Sequence, residues 1–264
     1  MDWSRTKTIF IVTFMLLNIF LGYQLAEKQR HGDINEIEQM TLDTQIEEQR
    51  INIEFGESEE ELLGAPITGF QRVFEDDITF LEQTLERQEI ELIDSTTLYS
   101  ELDSPYNFSP ANLSASTEAF MQQYVFRGEE YQLAAYDEEE GLIGLYQTFE
   151  GSMIDQYERD SYHVVLELND SDQIVSYTQR YLTIVEQGVE EELLTPMQVV
   201  ERLINDPQVG IGTDSTISSA TIGYYNLMEV DANFQIYAPV WRVIVDEEPF
   251  FVNALTGEVQ NITS

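Results

Sequence analysis

The chain of 264 residues has no cysteine. Disulfides and thiolate metal sites are therefore excluded, and an exported protein built without them suits many Gram-positive bacteria better than an animal secretory route. Histidine is nearly absent, with only His31 and His163. Lysine occurs only at Lys7 and Lys28, and 12 basic residues face 50 acidic ones, a net charge of −38. Such a surface repels phosphates, which excludes a nucleic-acid partner. The GxSxG, HExxH, P-loop and GxGxxG patterns are all missing. A Ser-His-Asp triad would have to recruit one of the two histidines without a supporting local motif.

Charge is divided unevenly. Residues 31–264 hold 8 of the basic and 48 of the acidic residues, a net −40. Disorder is the first alternative for so charged a chain. The 42% hydrophobic and 11% aromatic content, together with alternating strand patterns, points instead to a folded acidic domain. Loss of lysine with gain of Asp and Glu suits a saline or alkaline medium, because salt shortens self-repulsion from about 10 Å at 0.1 M to about 3 Å at 1 M. The folded part is expected to lose stability as salt is removed, and melting temperatures unchanged between low and molar NaCl would contradict this. The sequons at Asn107, Asn112, Asn169 and Asn261 are read as chance in a bacterial setting.

Residues 1–26 depart from the rest. They read MDWSRTKTIF IVTFMLLNIF LGYQLA, a basic leader running into one apolar segment interrupted by Thr13, Asn18 and Gly22. At about 1.5 Å per residue, Thr8 to Ala26 just crosses a hydrocarbon core of about 30 Å. Arg5 and Lys7 precede it with only Asp2 opposing them, so the positive-inside rule keeps the N-terminus in the cytoplasm and everything after Ala26 outside. The exit, Gly22-Tyr23-Gln24-Leu25-Ala26, has no small-x-small cleavage pattern, which favours an uncleaved anchor over a signal peptide. The expected location is the cell membrane, with a single pass.

Beyond the anchor the pattern alternates between helix and strand. A polar stalk at 27–33 leads into a helical spacing at Ile34, Ile37, Met40 and Ile46, which predicts a helix over about 34–49. Residues 51–55 and 66–74 read as strands, 76–87 is ambiguous, 89–99 has a period-two portion, and 104–109 (SPYNFS) reads as a turn. A helix begins near Ser116. Strand-like runs follow at 131–136, 142–149, 162–168 and 174–185, the last two separated by the turn cluster Asn169-Asp170-Ser171-Asp172. Thr195-Pro196 opens a helix that Asp206-Pro207 stops, and strands at about 216–230, 236–246 and 249–254 close the chain. The fold class is α+β: an N-terminal transmembrane helix, then two related modules, each an antiparallel sheet with a helix packed on one face. The expected segments are a cytoplasmic leader at 1–8, an anchor at 9–26, a stalk and juxtamembrane helix at 27–50, a first module at 51–188 and a C-terminal module at 189–264.

The opening Met1-Asp2-Trp3-Ser4-Arg5-Thr6-Lys7-Thr8-Ile9-Phe10, followed by Leu17-Asn18-Ile19-Phe20-Leu21, resembles the start of YycI proteins. The run Trp241-Arg242-Val243-Ile244-Val245, then Phe251-Val252-Asn253-Ala254 and Thr256-Gly257-Glu258-Val259, is similar to a PepSY-type hairpin with a sharp turn at Thr-Gly, as in the YycI and YycH families. The resemblance implies a membrane-anchored regulator of low-GC Gram-positive bacteria that acts with YycH to restrain the sensor kinase WalK (YycG), which controls cell-wall metabolism through WalR (YycF). It implies contact through the transmembrane helices as well as the extracellular domains. The departure is the extreme acidity, in a family whose leader is often richer in lysine.

No catalytic, cofactor-binding or metal-binding residue is singled out, and no cofactor is expected. His163 sits in a strand-like run, where a structural or surface histidine is expected rather than a base. The acidic runs 138–140, 246–248 and 57–61 lack the alternating loop of an EF-hand and read as solvated turns. Tyr224, Tyr225, Tyr237, Trp241, Phe250 and Phe251 could form a binding face, but strand aromatics more often fill a core. Ile11, Phe14, Asn18 and Gly22 share one face of the anchor, where the Asn18 amide can bond across to a partner helix, worth roughly 0.6–2 kcal/mol, and Gly22 permits close approach. The alternative for Asn18 is a bond to its own backbone. The expected function is a non-enzymatic negative regulator whose partners are a WalK-type kinase, a YycH-type protein and the membrane. The alternative is an extracellular PepSY-like module that binds or inhibits a protease or a cell-wall polymer; a carboxylate-based wall hydrolase is a third class.

Overall fold

The computed structural model describes residues 7, 13–15, 17–18, 42–56, 62–155, 162–186, 188–207, 209–228 and 234–260. Two compact units emerge, one of residues 1–52 with 212–216, the other of residues 53–211 with 217–264. In the first unit, helix α1 covers 42–49, the described end of the helix expected over 34–49; 34–41 lie outside the described residues. It ends with Arg50 in the left-handed region (φ 55) and the Ile51 N–H donating to the Ile46 carbonyl, the Schellman closure that satisfies a terminal carbonyl. Arg50 also pairs with Asp214 at 3.1 Å, and the Asn52 N–H donates to the Ser215 carbonyl.

The second unit is mixed α+β, dominated by antiparallel sheet. In chain order its elements are β1 (Asn52–Ile53), β2 (Leu63–Gly64), β3 (Ile67–Gln71), α2 (Ile78–Thr84), β4 (Gln88–Leu92), β5 (Thr97–Asn107), α3 (Leu113–Tyr124), β6 (Tyr131–Asp137), β7 (Leu142–Phe149), β8 (Ser152–Met153), β9 (Val164–Leu168), β10 (Gln173–Arg180), β11 (Leu182–Glu186), β12 (Glu191–Glu192), α4 (Pro196–Asn205), β13 (Thr216–Met228), β14 (Phe234–Val245), β15 (Glu248–Asn253) and β16 (Val259–Gln260).

One sheet runs β4-β5-β10-β9-β7-β6, with β8 paired to β7. Register puts Leu98, Gln179, Val164, Leu145 and Leu133 in one row across it, and Ser100, Tyr177, Leu166 and Ile143 in another. Helix α3 buries Phe120, Met121 and Tyr124 in the apolar core against this sheet. The end of α3 leaves orphan carbonyls that the strands satisfy. The Tyr177 hydroxyl and the Gln88 amide donate to Tyr124 O, and the Gln179 amide donates to Phe126 O at 2.7 Å.

The other sheet runs β1-β13-β14-β15-β16, with β3 paired to β14 and β11 to β3. One edge of β14 is shared: residues 234–237 pair with β3 and 240–245 with β15. Pro239, which has no N–H to give a ladder, falls between the two. Helix α4 starts as the sequence specifies, in a reciprocal capping box: the Gln198 N–H donates to Thr195 Oγ1 and the Thr195 N–H to Gln198 Oε1. Beyond β15 the Leu255 and Thr256 N–H groups donate to Asn253 Oδ1, Gly257 takes φ +73, and the chain returns as β16. This is the Thr-Gly hairpin expected from residues 251–259.

Several expectations change. The period-two portion of 89–99 is divided between two strands: β4 and β5 form a hairpin, turned by Asp94, which accepts the Thr96 N–H at 2.7 Å. The ambiguous 76–87 stretch is the short helix α2. Residues 104–107, expected to turn, continue β5 because Tyr106 and Asn107 pair with Ile174 and Gln173. The run 174–185 splits at Tyr181, where the chain leaves one sheet and enters the other as β11. The two sheets therefore interleave in sequence, since β3 and β11 precede residue 188 yet belong with the C-terminal strands. Among the described residues no helix is long and apolar enough to cross a membrane. Most of the anchor expected at 9–26 lies outside the described residues.

Candidate functional site

Of the anchor face, Phe14 and Asn18 are described, as is Lys7 of the leader; all three are helical and exposed. The Asn18 amide donates to the Phe14 carbonyl one turn earlier at 2.8 Å, the backbone alternative named for it. Ile11, Gly22 and Arg5 lie outside the described residues, as do His31 and the acidic run 57–61.

The three strands β11, β3 and β14 are two-faced. On one side Phe70 is flanked in register by Thr183 and Phe234, and Thr68 by Val185 and Ile236. Phe70 is 43%, Val185 47% and Ile236 38% exposed, and the Phe70 and Phe234 rings lie 6.0 Å apart. None of these six residues is charged, in a chain with 50 acids. On the other side Ile67, Leu182 and Tyr237 are buried with Ile154 and Tyr224. Gly69 is required there, since a Cβ would stand 2.8 Å from the Tyr237 ring. Both phases of β3 carry apolar residues, so alternation alone does not say which face is buried, and Phe70, Val185 and Ile236 escape a reading of the sequence.

The buried side closes over the end of the first sheet, and a polar network joins the two. Gln147, 1% exposed, reaches from β7 to β11: its amide donates to Leu182 O and its Oε1 accepts the Leu182 N–H, both at 2.8 Å. Its own N–H donates to His163 Nδ1 at 3.0 Å, and the Arg180 N–H donates to the His163 carbonyl at 2.7 Å. Burial, then the nearby Arg180 guanidinium, push the His163 imidazole down to about 3, so it is neutral. With Nδ1 accepting, the proton sits on Nε2. No basic lone pair is left for proton abstraction, which makes His163 the structural histidine expected of it. Beside the network lies a cavity of about 130 Å³, lined among others by Gln71, Asp155, His163, Arg180, Gln235 and Tyr237.

At the rim of the first sheet, Tyr181 donates to Glu130 and accepts from Arg127, which itself pairs with Glu130 at 2.8 Å. Burial and the Glu130 carboxylate push the Tyr181 hydroxyl up to about 12. The aromatics proposed as a binding face are mostly interior: Tyr224, Tyr225, Tyr237, Trp241 and Phe251 are all buried. The runs 138–140 and 246–247 form exposed turns, with Asp246 and Glu247 at positive φ. Glu150 meets Glu186 and Glu190 from more than thirty residues away, the three bringing their carboxylate oxygens within 4.8 Å of one another. All three are exposed, and acidic side chains gather so in solvent without a bound ion.

The family model described as "YycI protein" matches residues 30–255. Among curated proteins, none matches. Among solved structures, the chain is similar to an uncharacterized protein from Eubacterium rectale ATCC 33656, with 12% identity and a TM-score of 0.49 over 76% of this chain and 87% of that one.

Proposed function

The chain belongs to the YycI family, a regulatory family tied to the YycG/WalK two-component system, and from that premise we propose that it is a non-enzymatic, single-pass regulator that restrains a WalK-type sensor kinase together with a YycH-type protein. The match over residues 30–255 carries this reading. In it, the N-terminus lies in the cytoplasm, the segment 9–26 crosses the membrane, and the remainder is extracellular. The regulator binds one signalling state of the kinase better than the other and so shifts the population toward it. Two contacts serve this, the anchor face around Asn18 and the uncharged face of β11, β3 and β14. Aromatic anchors on such a face carry a large share of binding energy.

The two contacts are separable by mutation. Phe70→Glu places a charge at the centre of the uncharged face, and its side chain is exposed, so folding is expected to survive. Association with the YycH-type partner or the kinase should weaken about 30-fold, the equivalent of roughly 2 kcal/mol. Asn18→Leu should weaken pairing in a bacterial two-hybrid assay by about 3- to 30-fold, the span of an intramembrane amide bond. Full-strength pairing in both variants would reject the contacts, and full-strength pairing in Asn18→Leu alone would confine binding to the folded domain.

A further inference from the structure

The cavity between the two sheets is lined by three side chains with donors to offer, His163, Arg180 and Gln235. The His163 side chain is almost wholly buried, 7% exposed, and commits Nδ1 to the Gln147 N–H. Its Nε2–H meets no protein acceptor among the described residues. Arg180 spends one guanidinium nitrogen on the Tyr162 carbonyl at 2.8 Å and makes no ion pair among the described residues. Gln235 accepts the Tyr237 hydroxyl through Oε1, which leaves its amide N–H groups as donors. The acidic lining residue, Asp155, already accepts the Asn226 N–H and is held at φ 53.

We infer that this cavity is a binding site for a carboxylate group, taken between the Arg180 guanidinium and the His163 Nε2–H, with the Gln235 amide as a third donor. A buried neutral N–H beside an exposed guanidinium suits an anion, because the imidazole donates without adding a buried charge of its own. The volume of about 130 Å³ is several times what one water needs, and fits a small acid or the terminal residue of a peptide rather than a larger ligand. The site is independent of the kinase contacts, since its lining faces away from the exposed side of β3.

The two histidines make the test direct. In the full chain labelled with 15N-histidine, acetate, Ala-Ala and Ala-Ala amide are titrated while both imidazoles are followed. Acetate or Ala-Ala should move the His163 Nε2–H resonance with an affinity near millimolar, and His31 should not move. Ala-Ala amide should leave both unchanged. Arg180→Gln should weaken the response by about tenfold, the worth of one charge-assisted bond, while R180K keeps most of it. Tighter binding of Ala-Ala than of acetate assigns the site to a peptide C-terminus; equal binding assigns it to free small acids. No movement of His163 at ~10 mM ligand, an equal response to the amide, or unchanged affinity in R180Q overturns the inference. Should R180Q fail to fold, the contrast between acid and amide on the unaltered chain still decides.

Discussion

Gln147→Leu is expected to lower the free energy of unfolding by roughly 2–6 kcal/mol, the cost of leaving one donor and one acceptor of Leu182 buried and unpaired. Leucine fills nearly the same volume, so a cavity contributes little. The loss comes from Leu182, 5% exposed, whose N–H and carbonyl both bond to the Gln147 amide. Gln147 acts there as one link of a strand ladder, joining β7 to β11 across the two sheets. Gln147→Glu sharpens the test: it keeps the acceptor for the Leu182 N–H, loses the donor to the carbonyl and buries a charge, and should be at least as harmful as leucine. Urea unfolding of the three chains gives the comparison. A leucine variant within about 0.5 kcal/mol of the parent, the range of an ordinary surface substitution, would mean that Gln147 is not the seam's link.

The second large effect is on acid stability. His163 is neutral in the folded chain down to a pKa of about 3, against an ordinary 6.5. Below pH 6.5 the unfolded chain takes up a proton that the folded chain refuses. The stabilisation is therefore complete above 6.5 and is lost as pH falls toward 3. Each pH unit in that window is worth about 1.4 kcal/mol, so the full loss is roughly 5 kcal/mol, of which roughly 2 kcal/mol falls between pH 6.5 and 5. His163→Asn keeps an oxygen to accept the Gln147 N–H and does not titrate. Between pH 7 and 5 the parent should lose roughly 2 kcal/mol more than this variant, with the carboxylates and His31 common to both. Parallel stability curves would contradict a buried neutral imidazole.

How much the sequence disclosed followed the range of the interactions involved. The Thr195-Pro196 start of α4 was legible because proline at the first helical position is a local mark. The turn at Asn169 was legible because its chemistry is also local, the side chain accepting the Ser171 and Gln173 N–H groups. The hairpin at Asp94 used similar chemistry but was masked by the β-forming residues around it. Residues 104–107 were misjudged because Pro105 signals a turn locally, whereas pairing with β10 and the packing of Tyr106 on Phe120 and Tyr124 decide the outcome. The break at Tyr181 had no local mark at all: residues on both sides favour strand, and only their different partners separate β10 from β11. The site followed the same rule. His163 was legible as structural, yet its tautomer depends on Gln147, sixteen residues away. Arg180 stands out only once it is seen to line one cavity with the buried His163. The exposure of Phe70 depends on which side of β3 the other sheet covers.

The charge raises a related point. Among the described residues the ion pairs Arg50–Asp214, Arg72–Asp77 and Arg127–Glu130 form, and with 50 acids to 12 bases cations are too few to pair most carboxylates. Salt should stabilise such a surface by screening, as its composition suggests.

The measurement that bears most directly on the central claim is kinase output in cells: phosphorylation of the partner response regulator with the chain deleted, restored in full, or replaced by residues 1–30. Deletion should raise phosphorylation severalfold and the full chain should return it to the starting level, while the short segment shows how much of the restraint resides in the membrane. Phosphorylation unchanged by deletion and by either form of restoration would contradict the regulatory account.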